Sequence, residues 1–208
     1  MMARKSAAVR NTIEGEKPHT DGRRERSRAS RRAIIHAMMD LIVEGDIDPS
    51  AARVAERAGV GLRSVFRHFD DKETLYREMN AILGEAYVPQ MREPYKSTDW
   101  REQLGELVER RAKVYEEIAP FRISTSVQRF HSPTLMENYR GLLKAERKAL
   151  DAILPEPVRN DEHRARAILL ATSFDSWRLF RHDEELSKKK TLEAIKQLLQ
   201  DVLDQIED

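Results

Sequence analysis

Residues 48–72 read DPSAARVAERAGVGLRSVFRHFDDK, and their spacing decides the fold. Ser50 stands where its side-chain oxygen can accept a hydrogen bond from a free N–H at the start of a short helix, Ala51 to Ala58. That helix is built on small residues plus Val54, and Ala55 lets a second helix approach closely. Gly59 supplies the left-handed residue that ends one helix and turns the chain. A second short helix is predicted from about Gly61 to His68, with Val60 and Val65 turned inward. Ala55, Gly59 four residues on and Val65 ten on have the spacing of a helix-turn-helix.

The outer face of the second helix is polar and basic. Arg63 and Arg67 lie four apart and share one side, and Ser64 and His68 share the neighbouring side. Such a face on a helix that begins at a tight turn suits entry into a major groove. A short helix pair inside an ordinary all-α core would show the same apolar spacing. On that alternative the chain is a helical-bundle binding or carrier protein whose helix-turn-helix is structural.

Val54-Ala55, Ala58-Gly59-Val60-Gly61, Val65-Phe66-Arg67-His68-Phe69 and Lys72-Glu73 together resemble the DNA-binding segment of TetR-type transcriptional repressors. The resemblance is specific over about Arg31 to Leu83. Two positions depart from it: Gly61 stands where Ser or Thr is common, and Phe66 stands where Tyr is usual. The resemblance implies an all-α protein, with an N-terminal three-helix helix-turn-helix domain joined to a helical ligand-binding and dimerisation domain. It also implies a homodimer on double-stranded DNA, released by a small-molecule effector. Within it, Leu62, Arg63 and Arg67 are candidates for base edges, because Arg can grip guanine bidentately and Leu can meet a thymine methyl. Ser50, Ser64, His68 and Lys72 match positions that touch phosphates, and Phe66 is expected against the sugar-phosphate edge.

Outside this segment the chain bounds its own class. Its 208 residues accommodate a small head plus one helical core, and net charge is only +1. The distribution of charge says more than the total. Arg23, Arg24, Arg26, Arg28, Arg31 and Arg32 face a lone acid, Glu25, so Arg28 and its neighbours read as an arm along DNA or as a solvated helix start. With no cysteine there is neither a disulfide framework nor a thiolate metal site, which fits a cytoplasmic protein. No apolar run approaches membrane-spanning length, so no membrane partner is expected.

In chain order, residues 1–22 read as a disordered tail, 23–70 as the DNA-binding domain and 71–208 as the ligand-binding and dimerisation domain. The first helix is expected over about Ser27 to Glu44, with Ile34, Met38, Leu41 and Ile42 on its apolar face. Asp70 and Glu73 have capping-box spacing at the start of a fourth helix, which Pro89 and Pro94 are expected to end. A helix of about Trp100 to Ile118 is expected to stop at Pro120. Ser132-Pro133 has the arrangement that opens a helix. Single helices are then expected over about Asp161 to Arg181 and Ser187 to Ile206.

The six His residues are scattered, and there is no phosphate loop or nucleophile elbow. Neither an enzyme, a metal nor a cofactor is expected. Trp100, Tyr115, Phe121, Phe130, Tyr139, Phe174 and Trp177 lie near polar Arg122 and His131. The resemblance implies an effector site about here, and these nine are its candidates, suited to an apolar or aromatic compound. Each aromatic taken singly is equally well an ordinary core residue. Leu192, Ile195, Leu199, Val202 and Ile206 recur at 3-4-3-4 spacing on the last helix. Such a stripe either forms a seam between two copies or closes the monomer's own core, and the resemblance favours the seam.

Overall fold

The computed structural model describes residues 22–206, and these form helices joined by short turns, with no strand among them. Packing divides the chain into two compact units. One holds residues up to 89 together with 118–138, and the other holds 90–117 together with 139 onward. The tail expected over 1–22 lies outside the described residues except for Gly22.

In the first unit, α1 (Gly22–Val43) starts about five residues earlier than its apolar pattern suggested. Ile34, Met38, Leu41 and Ile42 are buried as expected, joined by Ile35 and Met39. Then come α2 (Ala51–Ala58), α3 (Leu62–His68) and α4 (Lys72–Met91). Ser50 caps α2 by accepting from the Arg53 N–H at 3.3 Å. Gly59 takes φ 66°, and the Val60 N–H reaches back to the Ala55 carbonyl at 3.0 Å, closing the turn. Val54, Ala55, Val65 and Phe69 are buried together with Leu75, Tyr76 and Met79 of α4, so α4 shares the core of the head. Val60 is only half-buried. The cap of α4 is Asp71 rather than Asp70: its carboxylate accepts from the Thr74 N–H at 2.7 Å, and the pairing inferred for Asp70 and Glu73 is off by one residue.

α5 (Trp100–Arg129) and α6 (Pro133–Asp151) each contribute to both units. Two prolines do not end helices as their type suggested. α4 passes Pro89, which is exposed, and α5 passes Pro120 without stopping. A helical proline removes one N–H donor. Buried Ala119 and Phe121 beside Pro120 keep the following turn packed, so the helix continues in spite of the lost bond. Asp99 and Ser132 cap α5 and α6, accepting from the Glu102 and Leu135 N–H groups at 2.9 and 3.1 Å.

The second unit adds α7 (Glu156–Asn160), α8 (Glu162–Ala171), α9 (Phe174–Arg178) with a wider π-type turn at Leu179–Asp183, and α10 (Lys188–Leu203). The single helix expected over 161–181 is broken at Thr172-Ser173. The Thr172 hydroxyl donates to the Ile168 carbonyl at 2.9 Å, and Ser173 caps a new helix by accepting from the Ser176 N–H at 3.2 Å. Side chains of this kind compete with the backbone for its own partners. Leu104, Leu107, Leu150, Ile168, Trp177, Ile195 and Leu199 are among the buried side chains of this unit. No helix among the described residues is long and apolar enough to cross a membrane.

Candidate nucleic-acid interface

α3 is amphipathic in a way that leaves one face free. Val65 is buried, while Leu62, Arg63, Phe66 and Arg67 are exposed, Phe66 at 56%. The Arg67 guanidinium donates to the Ser64 hydroxyl at 2.7 Å, so two candidate contacts hold each other in this structure. Gly61 precedes the helix at φ −68° and offers no side-chain cap. A Cβ added there would meet nothing within 4 Å, so the fold does not demand glycine at that position.

The end of α3 is held from behind by Arg31. Its guanidinium donates to the Glu78 carboxylate and to the His68 carbonyl, and it lies 4.4 Å over the Phe69 ring. Part of the arginine run therefore staples the head together rather than reaching outward. Arg26, Ser27 and Ser30 of α1 face Arg67 and His68 across an open groove of about 570 Å³. Arg28 is exposed on the same helix but does not line the groove. Arg26 belongs to the arginine run expected as an arm along DNA; Ser27 and Ser30 carry no such signal, and only the folded head brings them beside α3. Burial, with Arg67 and Arg31 close by, pushes the His68 imidazole below its ordinary value, so it is neutral at pH 7.

Ser50 is exposed at the start of α2. Lys72 is not free: it pairs with Asp48, whose carboxylate also accepts from the Gln128 amide of α5 at 2.8 Å. A residue expected on phosphate thus begins neutralised by an acid of its own head. Next to it, the buried Ser124 hydroxyl donates to the Ile47 carbonyl at 2.7 Å and lies 2.9 Å from the Tyr76 hydroxyl. Burial pushes the Tyr76 phenol up to about 12, so it keeps its proton and stays a donor.

The nine residues expected for an effector are divided between the two units. Tyr115, Phe174 and Trp177 do meet in the second unit, Tyr115 edge-on to Phe174 at 5.3 Å and 6.4 Å from Trp177. Tyr139, in the same unit, donates to Asp175 at 3.3 Å, and Trp100 carries Arg101 over its ring at 4.6 Å. Phe121, Arg122, Phe130 and His131 belong to the first unit; Phe121 is buried there, and Phe130 is 70% exposed. Val108, Arg111, Tyr115, Thr172, Trp177 and Ile195 line a cavity of about 10 Å³, with room for about one water. Arg111 and Thr172 were not among the expected residues, since a charged side chain on a charge-rich helix reads as solvated.

The stripe on α10 faces inward. Ile195, Leu199 and Ile206 are buried in their own unit, Leu199 at 4% exposure, and Leu192 and Val202 are half-buried. Periodicity marks an apolar face without saying what covers it, and here the face closes the unit's own core. Exposed Leu170 on α8 and Leu198 on α10 are the apolar side chains these helices leave outside. Among the described residues no three His, Asp or Glu stand together as a metal site needs.

Residues 34–79 match the model of the family described as bacterial regulatory proteins, tetR family. No curated protein matches the chain by sequence. Among solved structures the chain is similar to a transcriptional regulator from Rhodococcus sp. Rha1, at TM-score 0.69 and 20% identity over 84% of this chain and 96% of that one. It is also similar to a Clostridium perfringens protein provisionally named a fatty acid metabolism regulator, at TM-score 0.61 and 16% identity over 85% and 99%. A third, from Mesorhizobium loti MAFF303099 and provisionally named a TetR-family transcriptional regulator, gives TM-score 0.55 and 20% identity over 86% and 97%. At these identities the likeness is one of fold.

Proposed function

We propose that the chain, whose residues 34–79 match the tetR family of bacterial regulatory proteins, is a DNA-binding transcriptional regulator and not an enzyme, a homodimeric, cytoplasmic repressor released from its operator by a small molecule. The observation that carries the DNA-binding part is the outward row Leu62, Arg63, Phe66 and Arg67 on α3, flanked by the groove that Arg26, Ser27 and Ser30 share with Arg67. The row is short enough to read a few base pairs. The groove offers cations and hydroxyls to the adjoining phosphates.

On this reading two heads enter successive major grooves about 34–36 Å apart on a near-palindromic site. An effector in the second unit favours a conformation in which the heads no longer match that spacing. It lowers operator affinity only by its differential binding to the two states. Selection of bound duplexes from a random pool, followed by titration at several salt concentrations, tests the reading. We expect a two-fold symmetric site and salt-sensitive binding. Recovery of no preferred sequence would remove the operator from the proposal.

A further inference from the structure

Arg111, on α5, is 2% exposed and yet donates only to uncharged oxygens. Its partners are the Thr172 carbonyl at 2.8 Å, the Thr172 hydroxyl at 2.6 Å and the Glu146 backbone carbonyl at 3.5 Å. The Arg111 Nε finds no acceptor, and neither does the buried indole Nε1 of Trp177. Both side chains wall the same small cavity, beside the ring of Tyr115 and the apolar Val108 and Ile195. Buried cations are ordinarily matched by an anion, and buried donors by acceptors. Here one guanidinium has no anion among its partners, and its Nε and one indole N–H have no acceptor, at the same aromatic cavity.

Arg111 is held chiefly by Thr172, at the junction of two helices. Thr172 ends α8 and Ser173 caps α9, so the guanidinium's two nearest acceptors, both on Thr172, sit at a helix break, and the longer contact is to the Glu146 carbonyl inside α6. We propose that this cavity is the closed form of a site for a small molecule carrying one carboxylate on an apolar body. The carboxylate takes the guanidinium as a two-pronged ion pair and the indole N–H as a third donor, and Tyr115 and Ile195 receive the apolar part. At about 10 Å³ the closed cavity holds no such molecule, so the Thr172-Ser173 junction moves aside as the ligand replaces Thr172 on Arg111. The inference rests on the reading of this unit as the effector-binding part and names the effector's chemical class.

Calorimetric titration of the full chain without DNA tests it, using phenylacetate, 1-naphthylacetate and octanoate, each against its primary amide. At least one carboxylate is expected to bind at least about tenfold more tightly than its amide, since only the charge and the second acceptor differ. Arg111→Met should abolish that preference, and Arg111→Lys, which keeps the charge but not the fork, should retain part of it. If Arg111→Met does not fold, Trp177→Phe serves instead, and it should weaken the carboxylate severalfold. No binding by any carboxylate, equal binding of acid and amide, or a preference unchanged in the variants overturns the proposal. Operator affinity is measured separately. A carboxylate that binds as expected but leaves operator affinity unchanged supports the site and refutes the effector role. Release of the operator by a neutral compound, with no carboxylate bound, refutes the site and keeps the role.

Discussion

Phe66 and Arg63 project from the same short helix, but their chemistry predicts different losses and gains. Arg63→Ala should weaken binding to the operator by about 1–3 kcal/mol and relax selectivity at one base pair. Phe66→Tyr adds a donor that can reach a phosphate, so it should tighten operator and unrelated duplex alike. Asp48 supplies a sharper case, because it holds Lys72 in an ion pair. Asp48→Asn frees that cation, and binding to any duplex should strengthen while its salt dependence steepens. Titration of each variant on both duplexes separates these outcomes; equal proportional losses on both for Arg63→Ala would mean that it reads no base. His68 adds a dependence on pH. Its value is lowered in the folded head, so the unfolded chain binds the extra proton more readily. That contribution is present above the unfolded value of about 6.5 and is lost as pH falls through it towards the folded value. Urea midpoints at pH 7.5 and 5.5 should differ more for the wild type than for His68→Gln; identical differences would discard the assignment.

Among the elements, α3 is short and receives little support from its own sequence. Its first turn has no side-chain cap, and its last turn is held by Arg31 of α1. Gly61 already has the backbone of an ordinary capping residue and open space around its Cα. Gly61→Ser should therefore stabilise the head by about 0.5–1 kcal/mol, through the cap and a stiffer unfolded chain. Thermal unfolding measures this directly, and a lower midpoint would show that the glycine has a role not visible in its backbone. The start of α3 was legible in the residues themselves, because Gly59 and Val65 act within one turn of their neighbours. The arginine staple was not legible, since Arg31, Glu78 and the His68 carbonyl are far apart along the chain and meet only in the folded head. The course of α5 through Pro120 belongs to the same class: a proline states which bond is missing, and packing states whether the helix survives it.

For the molecule as a whole, assembly is the question on which the inward stripe bears. Leu199 is part of the second unit's own core, so Leu199→Asp should unfold that unit by burying an unpaired charge, and it should not yield a folded monomer. Leu170, at 63% exposure, and Leu198 lie outside on two helices that pack together. If copies associate through those helices, Leu170→Asp with Leu198→Asp should give a folded monomer with weakened operator binding. Light scattering with circular dichroism checks both. A folded, still dimeric double variant would place the interface elsewhere, and a folded monomeric Leu199→Asp would restore the seam.

Local chemistry determined the helix-turn-helix and the caps at Ser50, Asp99 and Ser132. A cap, a left-handed glycine or a 3.6-residue period acts over a few neighbouring residues, so the chain states it directly. Tertiary structure decided which apolar face became core, which arginines turned inward and which acid holds Lys72. Arg31 with Glu78, Arg111 with Thr172 and Asp48 with Gln128 are pairs from distant parts of the chain. Periodicity and charge supply the groups for such pairs, but only folding determines which of them meet and which remain exposed to DNA.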